Sequence, residues 1–179
     1  MRSEYLGAWR VDVEWRDGVT RLGSGAALAR AVAAALEAAG APKPASIGLI
    51  LSDDGELASL NEGHMGRPGA TDVLSFPLLS PSAFPDHPGK TGDGTATPAF
   101  ALPPGARPHL GDIVVSVERA IGQAAAGRGG QTGDVRWDAG DELRLLVTHG
   151  TLHVCGWDHA EPDEEAAMRA LERRLLAGA

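Results

Sequence analysis

Three of the chain's six histidines fall within the run Thr148-His149-Gly150-Thr151-Leu152-His153-Val154-Cys155-Gly156-Trp157-Asp158-His159. Just before it, Leu143, Leu146 and Val147 recur at helical spacing, which predicts a helix continuing through both His149 and His153. Those two residues then stand at i and i+4, on the same face and one turn apart. Gly156 is a natural stop, because glycine enters the left-handed conformation without steric penalty. His159 can swing back beyond it. Three converging imidazoles with no fourth side chain in the run describe an open metal site, completed by water. Core packing explains one histidine on an apolar helix, but not a third just past a glycine turn. Zinc suits imidazole donors in a tetrahedral open site, and nickel or another divalent ion would also bind. Such an ion lowers the pKa of its water to about 7 and neutralises charge on a phosphoryl oxygen. Hydrolysis of a phosphodiester is then accessible without a protein base beside the first ligand.

The spacing H-x-x-x-H-x-x-G-x-x-H is shared with the metzincin peptidases, in which Glu follows the first histidine as general base. Here that position is Gly150, so the cage is present and the peptidase base is not. The run HGTLHVCGWDH resembles instead the H-G-x-L-H-x-x-G-[YW]-D-H signature of the YbeY family, the bacterial metal-dependent endoribonucleases of ribosomal RNA maturation. Leu60-Asn61 with Thr71-Asp72-Val73-Leu74-Ser75-Phe76-Pro77 is similar to that family's second motif, and Leu110-Gly111-Asp112-Ile113 to its third. The likeness runs in the same order from Ser46 to Leu176. It implies an α+β fold, a single-stranded ribosomal RNA precursor as substrate, and ribosome or ribosomal-protein partners.

Around the histidines stand further candidates. Asp158 can hold a ligand imidazole or position water; the competing reading is a turn residue bonding its own backbone. The resemblance implies a catalytic or phosphate-binding arginine four residues after Asn61, but that position is Met65. Arg67, two residues later, is the candidate replacement, since guanidinium matches phosphate; a solvated loop arginine is the alternative. His64 is a similar, weaker candidate. Cys155 lies two residues past His153 and points off the ligand face, as a small buried hydrophobe. Trp157 reads as a ring packed over the site rather than as a base-stacking platform.

The 179 residues suffice for one domain with a sizeable core. No apolar run is long enough to span a bilayer, and Met1-Arg2-Ser3-Glu4-Tyr5 lacks a signal peptide's apolar core. A single cysteine excludes an internal disulfide, so the expected compartment is the cytoplasm. A net charge of −8 disfavours broad, tight coating of nucleic acid and favours transient engagement.

The elements that must position the site follow from periodicity. Trp9 to Trp15 and Ile47 to Leu51 alternate as strands, with a helix from a Ser24 cap to Ala39 between them. Ser52 or Asp53 caps a short helix ending near Gly63, and Thr71 to Pro77 is a third strand. Residues 80–108 are rich in Pro, Gly, Ser and Thr and read as a flexible insertion, with His87 and His109 facing solvent. Ile113 to Val115 is the fourth strand, and Ser116 caps a helix turning Val117, Ala120, Ile121 and Ala124 inward. After a glycine-rich loop over residues 127–140 come the histidine helix and a last helix opened by Pro162. Met168, Leu171 and Leu175 form the latter's buried stripe.

The expectation is a single α+β domain, a small mixed sheet of about four strands with about five helices. Its expected activity is a zinc-dependent, single-strand-specific endoribonuclease. The rivals are a metallopeptidase or other hydrolase sharing the cage, and a ribosome-associated factor whose metal is structural.

Overall fold

In a computed structural model, residues 1–88, 106–127 and 138–178 are described. Among these residues five strands form one mixed sheet: β1 (Arg2–Leu6), β2 (Trp9–Trp15), β3 (Ala45–Ser52), β4 (Val73–Pro77) and β5 (His109–Ser116). Their order is β1-β2-β3-β5-β4, with β2, β3 and β5 parallel and the two outer strands antiparallel to their neighbours. The helices are α1 (Gly25–Ala38), α2 (Asp54–Leu60), α3 (Val117–Ala125), α4 (Ala139–Val154) and α5 (Pro162–Ala177).

The α+β class and the five helices agree with the sequence reading, but the sheet has one more strand. β1 offers little apolar signal, because only Glu4 and Leu6 are half-buried. Backbone pairing holds it: Leu6 sits opposite Trp9 across a two-residue turn in which Gly7 adopts φ 60°.

Helix α4 is the central element. Eleven of its residues, from Glu142 to Val154, are buried, because it lies on β4 and β5 and is flanked by α1, α3 and α5. Asp138 caps its start, accepting from the Asp141 amide at 2.8 Å. The helix comes close against the sheet at Gly150. A Cβ there would meet Ile113 Cγ2 at 2.7 Å and Val73 Cγ2 at 2.8 Å. Ser75 Oγ donates to the Gly150 carbonyl at 2.9 Å across the same contact. Glycine therefore fixes how near the histidine helix sits to the strands.

Three expectations need correction. Ile121 is exposed, since the apolar face of α3 turns Val117 and Ala120 inward instead. His109 is half-buried on β5, hydrogen-bonded to Ser46 Oγ and Asp112 Oδ1 at 3.1 Å each. His87 is half-buried against Trp157. At the start of the expected insertion a turn spans Pro81–Ala83, and Phe84 is 4% exposed in the core. Residues 89–105 of that insertion and 128–137 of the glycine-rich loop lie outside the described residues.

Candidate metal centre

Helix α4 ends at Val154 and Gly156 takes φ 82°, reversing the chain as its sequence requires. The Trp157 amide bonds back to the Leu152 carbonyl at 3.1 Å, closing the turn. That reversal brings His159 over the helix. One ring nitrogen from each of His149, His153 and His159 lies within 4.8 Å of the others. The ring centroids are 4.5, 5.0 and 5.4 Å apart. The residues grade from buried (His149) through half-buried (His153) to exposed (His159), so the cluster opens toward solvent on one side.

Protons at the two inner rings are assigned by their partners. His149 Nδ1 donates to Glu172 Oε1 at 2.7 Å. His153 Nδ1 donates to the Trp157 carbonyl at 2.8 Å. Each ring's Nε2 is then a bare acceptor, and the two Nε2 atoms face each other at 3.0 Å. Two lone pairs at that distance repel unless a cation lies where both point, and the third imidazole completes a set that one proton cannot serve. The donor set fits a divalent ion of the zinc or nickel type. Burial, with His149 and His159 nearby, pushes the His153 imidazole down to about 4, keeping it neutral at physiological pH.

Glu172 was not singled out from the sequence. It projects from α5, 4% exposed, one turn after Met168 in the buried stripe. A glutamate at a core position of an amphipathic helix was the available signal, because a buried carboxylate needs a partner. Asp158 is exposed and accepts from the His159 amide at 2.7 Å, which is the turn arrangement. Cys155 is fully buried, and burial pushes its thiol up to about 12.

The histidines open onto a cavity of about 890 Å³ bordered also by Arg67, Thr71, Asp72 and Trp157. Arg67 is exposed on the loop after α2, which ends in a wide turn over Asn61–Met65 and is closed by Asn61 Nδ2 donating to the Gly69 carbonyl at 2.8 Å. His64 packs edge-on against Phe76 instead, with centroids 5.3 Å apart. Asp72 is held by the Val73 amide and by Gln123 Nε2 at 3.0 and 3.2 Å, which fixes the cavity wall to α3.

A family model described as Endoribonuclease YbeY matches residues 16–179. The chain is 42% identical over 145 residues to Endoribonuclease YbeY of Salinispora tropica, covering 80% of each protein. It is 42% identical over 134 residues to the protein of that name from Mycolicibacterium gilvum, covering 74% of this chain and 62% of the relative. The chain thus spans about three fifths of the mycobacterial relative's length. Its fold is similar to the solution structure of TM1509 from Thermotoga maritima, with TM-score 0.51, 18% identity, and coverage of 94% and 90% of the two chains.

Proposed function

Because the chain belongs to the YbeY endoribonuclease family, we propose that it cuts single-stranded stretches of ribosomal RNA precursors with one zinc ion held by His149, His153 and His159. The observation that carries this reading is the pair of Nε2 atoms facing each other at 3.0 Å, with His159 closing the set. Bound zinc supplies an activated water near neutral pH and neutralises charge on a phosphoryl oxygen.

The chain's own residues have separable tasks in this reading. Glu172 and the Trp157 carbonyl hold the two inner imidazoles in the orientation that presents Nε2 to the ion. Arg67, exposed beside the cavity, takes the place of the arginine that Met65 lacks and binds the scissile or an adjacent phosphate. Asp158 sets the direction of His159 through its hydrogen bond to that residue's amide, and its free carboxylate oxygen can orient a water.

The rival hydrolase readings fit less well. Gly150 stands against Ile113 and Val73, where a glutamate side chain has no room, so a metzincin-type base is sterically barred. A closed structural metal needs a fourth protein donor, and among the described residues the cluster has three. The setting we infer is the cytoplasm, with the ribosome delivering RNA to an acidic protein that engages it transiently. No helix among the described residues is long and apolar enough to cross a membrane.

The test is cleavage of a single-stranded and a duplex RNA by the zinc-loaded protein. The reading expects cutting of the single strand, lost in His149→Ala and on chelation. Cutting that survives either change would refute it.

A further inference from the structure

Trp157 couples the turn to the cluster through its carbonyl, which accepts from His153 Nδ1 at 2.8 Å, and the residue borders the cavity of the three imidazoles. The His87 imidazole lies flat on that indole, with centroids 4.1 Å apart and planes 4° from parallel. His87 arrives there on a segment anchored by Phe84 and by Pro81, whose Cα is 3.4 Å from where a Gly156 Cβ would be. The imidazole itself is lightly held. Among the described residues, its Nδ1 meets only the carbonyl of the next residue, Pro88, at 3.2 Å. Among the described residues, its Nε2 and the Trp157 Nε1 are also both buried without a hydrogen-bond partner.

A planar nitrogen heterocycle lying parallel on an indole is the arrangement a nucleobase adopts on tryptophan. Two buried polar ring atoms without partners carry a desolvation penalty. A ligand with donors and acceptors around its ring edge would remove it. We propose that His87 occupies a nucleobase position on Trp157 in the free protein, and that a base of a single strand bound at the histidine cluster takes its place. The proposal rests on the endoribonuclease reading and adds to it a defined stacking position beside the metal ligands. Stacking tolerates any base, so the position aligns the strand without selecting its sequence. Because the same residue's carbonyl holds His153, a strand seated on the indole is registered directly against the ligand set.

The experiment titrates the zinc-loaded full chain with an RNA octamer carrying 2-aminopurine, with strand integrity checked after each titration. Wild-type binding should quench the probe. His87→Ala should bind about threefold tighter or more, because a competitor is gone, and Trp157→Leu should weaken binding roughly tenfold and abolish the quench. Trp157→Phe should keep the quench, which shows that an aromatic face rather than the turn's integrity is being read. An abasic strand should not distinguish wild type from His87→Ala. Equal affinities for His87→Ala and wild type, or quenching that persists in Trp157→Leu, would overturn the stacking position while leaving metal-dependent RNA cutting intact. Absence of strand binding by every variant would overturn it as well and, if RNA also stays uncut, the reading beneath it.

Discussion

Glu172 Oε1 lies 2.7 Å from His149 Nδ1, and both residues are more than nine-tenths buried. A carboxylate in that position fixes the proton on Nδ1 and leaves Nε2 to face the ion. Glu172→Ala should therefore weaken zinc binding about 10–100-fold, and Glu172→Gln, which retains an acceptor oxygen without the charge, should weaken it less. Competition against a calibrated chelator measures both. Unchanged affinity in Glu172→Ala would mean that the ring is oriented by something else.

Gly150 sets the approach of α4 to the sheet. In Gly150→Ala the new methyl meets Ile113 Cγ2 and Val73 Cγ2 at under 3 Å, on helix and strands that are packed throughout. Overpacking of about 1–3 kcal/mol should outweigh the gain of about 1 kcal/mol in helix propensity. Urea unfolding is expected to show net destabilisation. A more stable variant would contradict the close packing.

The metal-free protein should lose stability in acid through His153. Burial and its two neighbouring histidines hold its folded value at about 4, against about 6.5 in the unfolded chain. Between those values the unfolded state binds the extra proton, so this contribution is whole above about pH 6.5 and falls as the pH drops toward 4. The loss should approach about 3 kcal/mol at its limit. Urea unfolding of chelator-treated protein at neutral and mildly acidic pH checks it, with zinc added back as the control that should flatten the dependence near neutrality.

Cys155 should be chemically silent in the native state. It is fully buried and its thiol is pushed up to about 12, so little thiolate forms at pH 8. Thiol reagents should label it at the rate of unfolding, and promptly in denaturant. Fast native labelling would show that the turn after α4 opens.

Much of this arrangement was legible in the chain because its signals were local. His149 and His153 at i, i+4 with Gly156 and His159 beyond fix a helix, its stop and a return, and all lie within the eleven residues 149–159. Ser24 and Ser116 cap α1 and α3 as their positions foretold, and Asp53, one of two candidates with Ser52, caps α2. What escaped was non-local. β1 is held by pairing with β2 rather than by an apolar face of its own. Glu172 lies in sequence far from His149, and only the packing of α5 on α4 makes them partners. His87 looked solvated because polar, Pro-rich surroundings conceal a stack whose other ring is Trp157, seventy residues on. Gly150 was read correctly as the absence of a base, but its close contact with Ile113 and Val73 requires the sheet to be seen.

On this reading His149, His153 and His159 together hold one divalent ion. Elemental analysis of the purified protein beside the variant with His149, His153 and His159 all replaced by alanine, each first shown to unfold cooperatively, tests it most directly. One zinc or similar ion per chain is expected in the native protein and none in the folded variant. A variant that folds and retains its metal, or a native protein that takes up none from added zinc, would contradict it.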